Sequence, residues 1–130
     1  VVLACAGLQR LGSQCGASQP EIHPLSPEQC LPSPCQGILG LECARPAVAE
    51  LLQGLRDDAT DWVMRAERAY LAALGGDCNL PAGGLAEAHQ QRLNFRGVLW
   101  RDGQLHHTQL EGDLDQAAEL GRQAARQLLG

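Results

Sequence analysis

One cysteine in the sequence stands where a thiol can do covalent chemistry. In Gly75-Gly76-Asp77-Cys78-Asn79-Leu80-Pro81, paired glycines end a helical pattern and a proline follows, so Cys78 falls in a loop that displays its thiol instead of burying it. A displayed thiol can act as a nucleophile or as the attachment point of a covalent group. Asp77 and the negative end of the preceding helix both raise a thiol pKa, which argues against a protease-like thiolate. Attachment and an inert loop cysteine remain as the alternatives.

Two further polar residues adjoin glycines. Arg10 closes the helical turn Gly7-Leu8-Gln9-Arg10-Leu11-Gly12, and Gln36-Gly37 opens a short apolar segment. The planar guanidinium fork suits a carboxylate, which can accept two parallel hydrogen bonds, although a single helical arginine is as readily a solvated surface residue. The histidines offer less. His106 and His107 alternate faces on an expected strand and so cannot share one metal ion, and His23 and His89 lack a partner at ligand spacing.

The remaining cysteines, at 5, 15, 30, 35 and 43, include no C-x-x-C pair. The spacings between Cys30, Cys35 and Cys43 match no strong zinc pattern, so a thiol or metal module there is the weakest reading. Reduced thiols, mostly small buried hydrophobes, are expected instead. No metal site is expected.

The elements that must position these residues follow from the periodicity. Val1 to Cys5 reads as a short buried strand, followed by the helical turn that ends at Gly12. Prolines at 20, 24, 27, 32 and 34 exclude long helix from 13–35. Gly37 to Cys43 reads as a second strand, and Pro46 with Leu51, Leu52 and Leu55 marks an amphipathic helix. Thr60 or Asp58 is the expected N-cap of the next helix, which carries Val63, Ala66, Tyr70 and Leu74 on one face and stops at Gly75-Gly76.

From Gly83 the period becomes two. Leu93, Phe95 and Leu99 alternate with other residues, Asp102-Gly103 is a hairpin signal, and Leu105 to Leu110 forms the returning strand. An apolar stripe from Leu114 through Leu128 makes a last helix. The expectation is an α+β fold: a three-stranded antiparallel sheet covered by helices on one face over 47–130, preceded by the tail of an α/β domain over 1–46.

Composition removes other classes. The chain has 130 residues, no lysine, ten arginines and fifteen acids, for a net charge of -5. Scattered arginines on an acidic chain do not build the basic face that nucleic acid requires. Zero lysine excludes Schiff-base chemistry and a P-loop. The apolar opening falls far short of the ~20 residues of a membrane span, and no basic n-region or cleavage site marks a signal peptide. With no initiator Met, the chain reads as a fragment.

Four segments together resemble porphobilinogen deaminase, also called hydroxymethylbilane synthase. They are Ala6-Gly7-Leu8-Gln9-Arg10-Leu11-Gly12, Leu31-Pro32-Ser33-Pro34-Cys35-Gln36-Gly37-Ile38-Leu39-Gly40-Leu41-Glu42-Cys43, Arg65-Ala66-Glu67-Arg68-Ala69 and Gly76-Asp77-Cys78-Asn79-Leu80-Pro81, in the family's order. The resemblance implies a cytoplasmic transferase of heme and other tetrapyrrole synthesis. Such enzymes join four porphobilinogen units head to tail, lose ammonia at each step, and release hydroxymethylbilane.

It also implies a dipyrromethane primer held covalently through a thioether, at the position of Cys78. Arg10 and Gln36 match the family's residues toward the carboxylate-bearing substrate and the growing oligopyrrole. The implied parent is monomeric, with neither nucleic acid nor membrane as partner.

The sequence departs from the family at three points and in length. Cys35 stands where glycine is usual, so the turn is expected to shift if that position needs a positive φ. Asp77 replaces a frequent second glycine, and Ala82 a larger apolar residue. Family enzymes have three domains, and this chain would cover the tail of the second (1–46) and the cofactor-carrying third (47–130). The catalytic aspartate lies in a Lys-Asp segment that a chain without lysine cannot contain. The isolated chain is therefore expected to be inactive. A non-catalytic remnant or interaction domain of the same fold is the alternative reading.

Overall fold

A computed structural model describes residues 1–11, 21–76 and 79–130. Asp77 and Cys78, with Gly12 and the proline at position 20, lie outside the described residues. The elements run α1 (Cys5–Leu11), α2 (Pro46–Leu52), α3 (Asp58–Ala73), β1 (Ala82–His89), β2 (Arg92–Arg101), β3 (Gln104–Asp113) and α4 (Ala117–Leu129). Short 3-10 turns follow α2 and precede α4.

The three strands form one antiparallel sheet in the order β1-β2-β3. Asp102 and Gly103, with φ of 53° and 77°, make the expected two-residue turn between β2 and β3. Gln90, φ 55°, makes the corresponding turn between β1 and β2 without a glycine or asparagine to announce it.

Helices α3 and α4 pack side by side on one face of the sheet. Ala66, Tyr70, Leu93, Phe95, Leu120, Ala124 and Leu128 are buried between the layers. The helices approach closely because Gly121 carries no side chain, and a Cβ built there would lie 2.0 Å from the Ala66 carbonyl oxygen. Tyr70 sits on a saddle made by the paired residues Gly84 and Gly97, where added Cβ atoms would come within 3.0 and 3.2 Å of its ring. Its hydroxyl donates toward the carbonyls of Val98 and Gly83, at 2.9 and 3.1 Å. The ring of Tyr70 lies 5.0 Å from that of Phe95 in a tilted pair.

The α+β architecture with helices on one face is as expected, and the register places His106 and His107 at alternate positions of β3, opposite Leu99 and Val98. Three local expectations are corrected. Val1 to Ala4 form no strand, and α1 begins at Cys5. Gly37 to Cys43 form no strand either: a buried parallel-type strand needs paired neighbours, and among the described residues the sheet holds only β1, β2 and β3. Leu39 and Leu41 are accordingly exposed, at 87% and 65%. The N-cap of α3 is Asp57, whose side chain accepts from the Thr60 amide at 2.7 Å. Thr60 thus donates its backbone to the cap instead of forming it.

The cysteines correct a fourth expectation. Cys5, Cys30 and Cys43 are exposed and Cys35 is half-buried, because each lies outside the packed layers of α3, α4 and the sheet. Among the described residues, no group of three His, Cys, Asp or Glu side chains could hold a metal ion, and no helix is long and apolar enough to cross a membrane.

Candidate functional site

The segment before α2 reaches the helix and sheet unit as a strap. Its prolines keep it from forming a helix, and it runs along the edge of β1. Glu28 accepts from Arg96 of β2 at 2.9 Å, and Arg96 also donates to Glu87 at 2.9 Å. Leu31 lies against Gly83, where a Cβ would come within 2.9 Å of it. The Pro32 carbonyl accepts from the Gly84 amide at 2.9 Å, which pairs one donor of the free strand edge.

The strap then turns at Pro34-Cys35-Gln36-Gly37. The Gln36 amide donates to the Ser33 carbonyl at 3.1 Å, and the Ile38 amide donates to the Cys35 carbonyl at 3.1 Å. The Gln36 side-chain Oε1 accepts from the Ser33 amide at 3.3 Å. Cys35 has a φ of 64°, the left-handed region that glycine occupies freely and that costs an ordinary residue about 1–2 kcal/mol. The turn therefore does demand a positive φ, and it closes with cysteine in place.

Glu67 reaches this turn from α3. It is 4% exposed, although it lies on a helix, and its carboxylate accepts from the Cys35 amide at 2.5 Å and the Ala86 amide at 2.8 Å. Burial pushes its pKa above the usual carboxylate range, while the two backbone donors pull it back. Burial also raises the Cys35 thiol, with the neighbouring Glu67 carboxylate adding to the effect. A thiol so held is protonated near neutrality and unsuited to nucleophilic work.

An open groove of about 1010 Å³ runs from Pro34 and Cys35 past Ile38, Leu41, Leu52 and Leu71 to Gly76. Gly76 is two residues before Cys78, so one apolar trough links the Gln36 turn to the start of the loop that carries the attachment candidate. Arg68 lines it as well. Most arginines are occupied by carboxylates: Arg56 and Arg65 by Asp61, Arg92 by Glu111 and Asp113, Arg122 and Arg126 by Glu119. Among the described residues, Arg10, Arg45 and Arg68 form no ion pair.

Of the three residues singled out in the sequence, Gln36 sits at this turn, and Cys78 lies outside the described residues. Arg10 is exposed on α1, a helix that buries none of its residues, and no described contact joins it to the turn. Glu67 is the residue that sequence reasoning passed over. Its signal was present: it falls four residues after Val63 and three before Tyr70, so a charged residue occupies the apolar face of α3.

Fold and site together define a two-layer α+β unit that holds a glutamine-bearing turn at one end of a groove whose other end is Gly76. Comparison with known proteins identifies the class. Residues 63–130 match the family described as porphobilinogen deaminase, C-terminal domain, and residues 1–50 match porphobilinogen deaminase, dipyromethane cofactor binding domain. The chain belongs to the porphobilinogen deaminase family.

Among curated relatives, the porphobilinogen deaminase of Nocardia farcinica is 39% identical over 142 residues, covering 99% of this chain and 40% of that protein. That of Nitrobacter hamburgensis is 37% identical over 131 residues, covering 98% and 40%. That of Stenotrophomonas maltophilia is 35% identical over 133 residues, covering 99% and 43%. The chain thus spans about two-fifths of the length of these relatives.

Proposed function

We propose that this chain is part of a hydroxymethylbilane synthase, a transferase that joins four porphobilinogen units head to tail with loss of ammonia. The observation that carries this reading is the groove from the Gln36 turn to Gly76, in a chain whose two halves match the family's domains in order. Asp57 and Asp61 also line it, but its mostly apolar walls and Arg68, which forms no ion pair among the described residues, suit a pyrrole bearing acidic side chains, since the rings seek an apolar surface and the carboxylates seek a guanidinium.

The primer such an enzyme uses, dipyrromethane, supplies the free pyrrole position at which the chain grows. Cys78 would hold it through a thioether, a soft-sulfur bond that survives repeated turnover. Gln36 would donate to a carboxylate or carbonyl oxygen of the bound oligopyrrole, and Arg10 would pair with a substrate carboxylate. In this reading residues 1–46 are the tail of a second, α/β domain, within the stretch that matches the family's cofactor binding domain, and 47–130 are the cofactor-carrying domain in the sense that Cys78, the attachment candidate, lies in it. The whole enzyme is monomeric and cytoplasmic and has neither nucleic acid nor membrane as partner.

Intact mass tests the assignment. The longer protein containing this chain should carry the added mass of one dipyrromethane, lost in Cys78→Ser. An unmodified chain in both would overturn it. The 130-residue chain alone should form no hydroxymethylbilane from porphobilinogen, because it lacks the Lys-Asp segment.

A further inference from the structure

The two oxygens of Glu67 join parts of the molecule 32 and 19 residues away in sequence, the Cys35 amide and the Ala86 amide. The second is a donor on the free edge of β1, which any neighbouring acceptor could satisfy. The first belongs to the residue just before Gln36. With its amide held by Glu67 and its carbonyl held by the Ile38 amide, Cys35 is fixed on both sides, and so is the peptide plane that leads into Gln36. The φ of 64° belongs to the third residue of the turn from Ser33 to Gln36, which the Gln36 amide closes on the Ser33 carbonyl, and the bond to Glu67 pins the amide of that residue.

A buried carboxylate is an expensive way to cover a helix face, since an apolar side chain there would serve stability as well or better. What an apolar residue cannot do is orient an amide. A charge-assisted bond to a backbone N–H is short and directional, and it weakens sharply when the acceptor moves.

We infer that Glu67 is the positioning residue for Gln36: it clamps the left-handed turn so that Gln36 is presented at a cleft beside the first turn of α3, which adjoins the groove because Gly37, Ile38 and Thr60 line both. This inference rests on the proposed role of Gln36 toward a carboxylate-bearing pyrrole. Glu67 lines the same cleft, but both its oxygens are taken by the Cys35 and Ala86 amides, so it acts on Gln36 through the Cys35 amide.

Two measurements test it. In the 130-residue chain, hydrogen exchange at the Cys35 amide should quicken about tenfold or more in Glu67→Gln, because a neutral amide oxygen accepts less strongly than a carboxylate. Glu67→Asp, which keeps the charge but falls one methylene short, should quicken it as well and serves if the glutamine variant does not fold. Unchanged exchange at Cys35 overturns the clamp.

In the longer protein, Glu67→Gln and Gln36→Ala should each raise KM for porphobilinogen about tenfold with little change in kcat, and the double variant should be no worse than Gln36→Ala alone. Effects that multiply would mean that Glu67 acts on the fold at large, and would overturn the positioning role. A wild-type longer protein that makes no hydroxymethylbilane would sink the transferase reading instead, and the exchange measurement alone would then decide on Glu67.

Discussion

The strap and α2 on one side, and the α3, sheet and α4 unit on the other, use apolar residues in opposite ways. In the second, Leu93, Phe95, Tyr70 and Leu128 are sealed between two layers. In the first, Leu39, Leu51 and Leu55 are 87%, 81% and 69% exposed, and α2 buries no residue at all. The strap is nonetheless fixed to the unit, through Arg96 and Glu28, the Pro32 carbonyl, and Glu67. The difference shows that hydrophobic content alone does not decide which part of this chain is held in place. Whether a segment's polar groups find fixed partners decides it too.

Substitutions can break that contrast or sharpen it. The largest effect belongs to the packed unit. Gly121→Ala forces a Cβ into the Ala66 backbone and should cost about 3 kcal/mol or more, read as a lowered urea midpoint. Tyr70→Phe should cost about 1 kcal/mol in the same measurement, because the ring stays on its glycine saddle and only the hydroxyl bonds to Val98 and Gly83 are lost.

At the junction of the two regions the sign reverses. Cys35→Gly relieves the left-handed strain and should stabilise the chain by about 0.5–1 kcal/mol, with slower hydrogen exchange at residue 35 as the local check. Loss of stability there would mean that the thiol's packing outweighs the strain. Smallest of all, Leu51→Ser on the exposed face of α2 should change stability by less than about 0.5 kcal/mol. A large loss at that position would show that α2 is packed after all, and would erase the contrast.

Much of the packed unit was legible in the sequence, for physical reasons. Leu93, Phe95 and Leu99 alternate because one face of β2 is buried, and Asp102-Gly103 reads as a turn because both residues take positive φ. Gln90 takes the same conformation with no such residue type, so its turn is invisible until the strands pair around it.

The strap region misled because short apolar runs look alike whether they are buried or not. Val1 to Ala4 and Gly37 to Cys43 have strand composition but no strand beside them. The candidate site divides in the same way. Gln36 stood out through its glycine neighbour, whereas Glu67 acts through a contact with Cys35 that only the folded chain creates.

The covered edge of β1 bears on how the chain is made. Gly84 and Ala86 point their amides away from the sheet, and the acceptors that meet them are the Pro32 carbonyl and the Glu67 carboxylate. Both acceptors precede β1 in the sequence. As the polypeptide leaves the ribosome from its N-terminus, the pieces that close this edge have already emerged when the strand itself appears. The first strand of the sheet is therefore born beside its own cover and never has to wait, adhesive, for a segment still to be translated.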